Sequence, residues 1–164
     1  MCTLTESGLT RFVRITAASG QILQVSELAV FTADGTNVAR GKPCTATTPF
    51  QAETTCDKAF DGALRTETYP NMYASNVGGG FLRVDLGTSV QVVRVEYYNR
   101  GDGATERAVG SRVELMDASS VVLASQTITT SAAMTTLTFA TIPTATTTAP
   151  QGMLALIILI RNSW

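Results

Sequence analysis

Short runs in which apolar and polar side chains alternate, each stopped by glycine or proline, recur along this chain and set its structural class. Arg11 to Thr16 reads RFVRIT, Phe81 to Leu86 reads FLRVDL, Val90 to Asn99 reads VQVVRVEYYN, and Gly110 to Met116 reads GSRVELM. A period of two places successive side chains on opposite faces of a pleated strand, one face for a core and one for solvent. Gln21 to Phe31, Val121 to Ile128, Met134 to Ile142 and Ala155 to Ile160 are further candidates. Their valines, threonines and aromatics suit a half-buried pleated surface. No stretch carries an apolar stripe of period 3.6 over three turns, and Lys58 to Leu64 admits one short helical turn. About eight strands jointed by glycine and proline predict an all-β fold, an antiparallel β-sandwich. A length of 164 residues supports one domain with a real core. It is predicted over residues 11–164, with residues 1–10 as an N-terminal extension.

The joints are informative too. Asp34-Gly35 supplies the positive φ of a tight turn after the second run and predicts a hairpin with the first. Between Asn37 and Gly80 the alternation breaks down among prolines and glycines, and an irregular stretch this long is usually functional or unusually well tied down. Thr144 to Pro150, TATTTAP, is a low-complexity surface loop. Met153 to Ile160, MLALIILI, is too short for a membrane-spanning helix, which needs about 20 residues. It reads instead as a buried strand, so no membrane span is expected. Trp164 is expected to pack beside the first strand.

Composition excludes several functions. There is no histidine, which removes His-based triads, His-ligated metals and histidine pH switching. Twelve basic and thirteen acidic residues give a formal net charge of −1, against a dedicated nucleic-acid binder and suited to an uncharged partner. Gly78-Gly79-Gly80 is followed by a strand and by no Gly-Lys-Ser/Thr, so it is no phosphate loop. Cys44 and Cys56 are near enough to close a small loop, leaving Cys2 over. The polar start, Met1 to Thr10, is no secretion leader, and without one three reduced thiols are the expectation. Glu53, Asp57, Asp61 and Glu67 cluster in the irregular stretch, but nothing fixes the carboxylate separation that glycoside hydrolysis needs. Asp85, flanked by Val84 and Leu86, is expected to accept backbone hydrogen bonds at a strand end.

One loop concentrates chemistry. Tyr98 to Gly110, YNRGDGATERAVG, brings together Arg100, Asp102, Glu106 and Arg107. Guanidinium groups donate several hydrogen bonds in a fixed fork, and partner carboxylates orient them, so such a set can hold a polyol. The same residues also suit a solvated loop with surface ion pairs. Tyr97 and Tyr98 should point to opposite faces, one of them into the core.

NVARGKP (Asn37 to Pro43), DKAFDG (Asp57 to Gly62), FLRVDLG (Phe81 to Gly87) and Tyr97 to Arg107 follow one another in an order that resembles the F-type lectins (fucolectins), within the wider discoidin and coagulation-factor C-type group. The resemblance covers residues 11 to 117. It implies an eight-stranded, discoidin-like jelly roll whose end loops hold a sugar without catalysis. Arg100 and Arg107 match the family's two sugar-contacting arginines, and Asp102 the acid between them. The family's histidine would fall near Tyr73 to Asn76, here Tyr-Ala-Ser-Asn, which makes Tyr73 the preferred aromatic ligand residue over Tyr69. Gly103-Ala104 stand where the pattern has adjacent cysteines. The resemblance also implies a structural calcium ion, with Asp61 as carboxylate ligand and Lys58 and Ala63 as carbonyl donors. Asp61 as a turn residue bonded to its own backbone is the competing reading. The expected partner is a neutral glycan, fucose- or galactose-like, met outside a cell or on a virion surface. The alternative is a structural or adhesion component of a larger assembly, such as a minor capsid or virion-surface protein, with protein partners.

Overall fold

The structure, a computed structural model, describes residues 8–140. Within them lie ten strands and two short 3-10 helices. The strands are β1 (Thr10–Thr16), β2 (Ile22–Val25), β3 (Glu27–Phe31), β4 (Cys44–Ala46), β5 (Tyr73–Gly78), β6 (Phe81–Val90), β7 (Arg94–Tyr98), β8 (Arg112–Met116), β9 (Val122–Thr127) and β10 (Met134–Thr138). They form a five-stranded sheet in the order β4-β6-β1-β8-β9, a three-stranded sheet β10-β7-β3 and a pair β2-β5, with every pairing antiparallel. This is an all-β sandwich, as the alternation predicts.

The central strand shows how the pattern works. Val13 of β1 stands opposite Val84 and Leu115, and Ile15 opposite Leu82 and Val113, all of them buried. The intervening residues face outward, where Arg14 lies beside Arg83 and opposite Glu114. That like-charge neighbour is tolerated because Arg14 Nε donates to Glu114 at 2.7 Å while the Arg83 guanidinium stacks 3.8 Å from the Phe12 ring centroid. Asp85 lies within β6 and not at a strand end, and it accepts Arg11 Nε at 2.5 Å as well as one backbone donor, the Gly87 N–H, at 2.8 Å.

Three expectations need correction. The first two runs do not form a hairpin: β1 pairs with β6 and β8. Asp34-Gly35 instead closes a turn that brings Asn37 back onto Phe31. Gln21 to Phe31 is not one strand, because Ser26 divides it and sends its halves to different sheets. Cys44 and Cys56 are not reduced; they form a disulfide with Cα atoms 6.1 Å apart. The expected helical turn is a 3-10 helix at Cys56–Phe60. The irregular stretch is tied down by that bond, by β4 and by Tyr73. Cys2, TATTTAP, the run MLALIILI and Trp164 lie outside the described residues. Among the described residues no helix is long and apolar enough to cross a membrane.

At the start of β3, Glu27 is completely buried, and both its oxygens accept the Gly62 N–H, at 3.2 and 3.3 Å. Gly62 has φ +87°, the left-handed region that favours glycine. Burial pushes the Glu27 carboxyl up to about 7, against the pull of the Gly62 N–H and the Arg40 charge. An acid with a raised folded-state pKa holds its proton more tightly in the native state. Stability is therefore full below the ordinary value of 4.5, falls as pH rises to about 7, and stays lowered above. Glu27→Gln should flatten that decline and raise stability at pH 8 by roughly 1–2 kcal/mol, because the neutral amide carries no charge to bury. Thermal melts from pH 4 to 8 check this; parallel pH profiles for the two proteins would contradict it.

Candidate functional site

The arginine loop leaves β7 at Asn99, which is 1% exposed and bonds on every side. Its Nδ2 donates to the carbonyls of Thr105 at 3.0 Å, Ala132 at 3.3 Å and Ser131 at 3.4 Å. Its Oδ1 accepts the Arg100 N–H at 2.8 Å and the Tyr97 hydroxyl at 3.2 Å. Buried Ser26 completes the anchor, donating to the Asn99 carbonyl at 2.8 Å and accepting the Glu67 N–H at 2.9 Å. The Gly101 N–H reaches the Glu67 carbonyl at 2.8 Å. The loop around Glu67 and the arginine loop are thus sewn into one platform.

On that platform Arg100 and Asp102 form a two-pronged pair, Nε to Oδ1 and Nη2 to Oδ2, the latter at 3.1 Å. The Arg100 hydrogen bond holds the Asp102 carboxyl below its usual range. Asp102 also accepts the Tyr69 N–H at 3.3 Å. Of the five N–H groups on Arg100, three remain for a ligand. Gly103 and Ala104, at φ +123° and +54°, turn the chain into the second 3-10 helix, Thr105–Ala108. That helix presents Arg107.

Arg100 and Arg107 line one cavity of roughly 220 Å3. Its aromatic side is Phe50 and Tyr69, whose rings meet edge to face at 6.2 Å, with the Arg100 guanidinium 5.7 Å from the Tyr69 centroid. Ile22, Gln24 and Ala74 complete the lining. Phe50 is half exposed, at 51%. Gln24 Oε1 and the Tyr69 hydroxyl oxygen are buried without a hydrogen-bond partner. Buried polar atoms are normally satisfied, and these two belong to residues that line the cavity although the atoms themselves are sealed from solvent.

The structure brings Arg100, Arg107 and Asp102 together. Glu106, expected to orient an arginine, is exposed and makes no ion pair among the described residues. Tyr73 is corrected outright. It is completely buried on β5, its hydroxyl donating to the carbonyls of Thr47 at 2.8 Å and Phe81 at 3.2 Å, and burial pushes its pKa up to about 12. Alternation along β5 turns Tyr73 into the core and its neighbour Ala74 toward the cavity. Tyr69 supplies the aromatic wall. Tyr97 is the core member of its pair, its hydroxyl donating to the Gln24 carbonyl at 2.6 Å.

At the expected calcium position Asp61 Oδ1 accepts the Ala63 N–H at 2.7 Å, the turn role, and the Ala63 carbonyl accepts the Arg65 N–H at 2.6 Å. Among the described residues no three His, Cys, Asp or Glu side chains gather to hold an ion. Phe50, Gln24, Ile22 and Asn99 were not singled out from the sequence. Only Phe50, a lone aromatic in a polar Thr-rich loop, carried a usable signal. Comparison with protein-family models, curated proteins and solved structures finds no match.

Proposed function

We propose that this protein is a non-catalytic carbohydrate-binding module whose site is the cavity at the arginine loop. One observation carries the reading. Two guanidinium groups and a pair of aromatic rings converge on a single space. A sugar ring presents hydroxyls at its edge and C–H groups on its face, and both kinds of surface have a counterpart here. Arg100 is held by Asp102 with N–H groups to spare, so its donors are oriented before a ligand arrives. Arg107 adds a second fork, and Phe50 and Tyr69 offer a face for the ring.

On a glycan array containing neutral and acidic sugars, the wild type should be retained on a defined subset. Arg100→Ala combined with Arg107→Ala should lower binding about a hundredfold, since a hydrogen bond from a charged donor contributes about 1.5–3 kcal/mol. No binding by wild type, or binding untouched in the double variant, would overturn the proposal.

A further inference from the structure

Charge in the cavity does not balance. Two guanidinium groups line it and no carboxylate does. Asp102 neutralises Arg100. Arg107 has no ion pair and no side-chain hydrogen bond among the described residues, and the same holds for exposed Glu106 beside it. The nearby Glu67 is taken by Arg65 at 2.6 Å. One half-buried positive charge is therefore left facing the space. A guanidinium fork matches the two oxygens of a planar carboxylate.

The rest of the lining narrows the chemistry further. Arg100 keeps N–H groups beyond its pair with Asp102, and Phe50 and Tyr69 bring aromatic rings to the same space. A simple inorganic anion would answer Arg107 but has no apolar face for those rings. A neutral sugar offers hydroxyl donors but leaves the charge of Arg107 uncompensated. A ligand with a carboxylate and ring hydroxyls on one small frame answers both.

We infer that the cavity selects an acidic sugar, a hexuronate unit, whose carboxylate takes the fork of Arg107 while its hydroxyls reach the free edge of Arg100. This rests on the carbohydrate-binding reading and replaces the neutral sugar suggested by the net charge of the chain. The chain is near neutral, but the cavity is not.

Titration of the full chain with galacturonic acid, galactose and sodium acetate tests it. Galacturonate should bind about tenfold more tightly than galactose, the gain expected of a charge-assisted pair, and acetate should bind more weakly than galacturonate. In Arg107→Gln the ratio of galacturonate to galactose affinity should fall to about one, while Arg107→Lys, which keeps the charge, should hold it above one. A ratio of one in wild type would overturn the selectivity and leave the carbohydrate reading standing. Binding of neither sugar would overturn both. A ratio unchanged in Arg107→Gln would remove Arg107 from the role.

Discussion

Asn99→Ala should lower the free energy of unfolding by about 3 kcal/mol and abolish ligand binding together. The side chain is buried and spans three parts of the chain: the end of β7, the second 3-10 helix and residues 131–132 ahead of β10. Alanine would leave the Arg100 N–H and the Thr105 carbonyl without these partners, and each unsatisfied buried group costs about 1–3 kcal/mol. The Arg100 N–H is the direct link from the anchor to the site. Losing it frees the arginine that Asp102 is meant to hold in place. Asn99→Asp should do no better, because it sets a carboxylate oxygen against the carbonyls that Nδ2 now serves. Urea unfolding alongside a binding titration checks both halves. A loss under 1 kcal/mol with unaltered affinity would contradict the anchoring role.

Breaking the Cys44–Cys56 bond should cost about as much. Cross-linking residues 12 apart removes about 3 kcal/mol of chain entropy from the unfolded state. The closed loop also carries Phe50, one aromatic wall of the cavity. Phe50 is held by its N–H to the Ala74 carbonyl at 2.8 Å, and the Asn76 N–H reaches the Thr48 carbonyl at 3.0 Å. These bonds pin the loop along β5, and the disulfide pins its ends to β4 and the first 3-10 helix. A reductant should therefore lower the melting temperature of the wild type and weaken its ligand affinity. It should have no further effect on the variant carrying Cys44→Ala and Cys56→Ala. Melts unchanged by reductant in wild type would contradict the prediction.

The fold was legible because alternation is a local signal. Val13 and Ile15 face the core whatever β1 pairs with, so the strand could be read without its neighbours. Pairing could not. The Asp34-Gly35 turn is real, but the strand before it runs beside β7, and only the three-dimensional packing decides that. Ser26 breaks the second run for an equally non-local reason, since its hydroxyl is needed by Asn99 and Glu67, far along the chain.

The site was legible where charge is concentrated in one loop, as in Arg100, Asp102 and Arg107. It was hidden where single residues arrive from elsewhere. Gln24 and Ile22 read as ordinary strand positions, and Asn99 as the polar end of a strand. Tyr73 shows how fine the margin is. Period two along β5 turns it inward and its neighbour Ala74 outward, so a shift of one position exchanges a core tyrosine for the cavity wall.

Whether one cavity, floored by Arg100 and Arg107 and walled by Phe50 and Tyr69, receives a sugar ring can be seen in a crystal of the protein soaked with galacturonic acid. Ring density is expected in that cavity, with sugar oxygens within about 3 Å of the Arg100 and Arg107 guanidinium groups and a ring face against Phe50 or Tyr69. Density for the sugar elsewhere on the surface, with this cavity left without it, would overturn the proposed site.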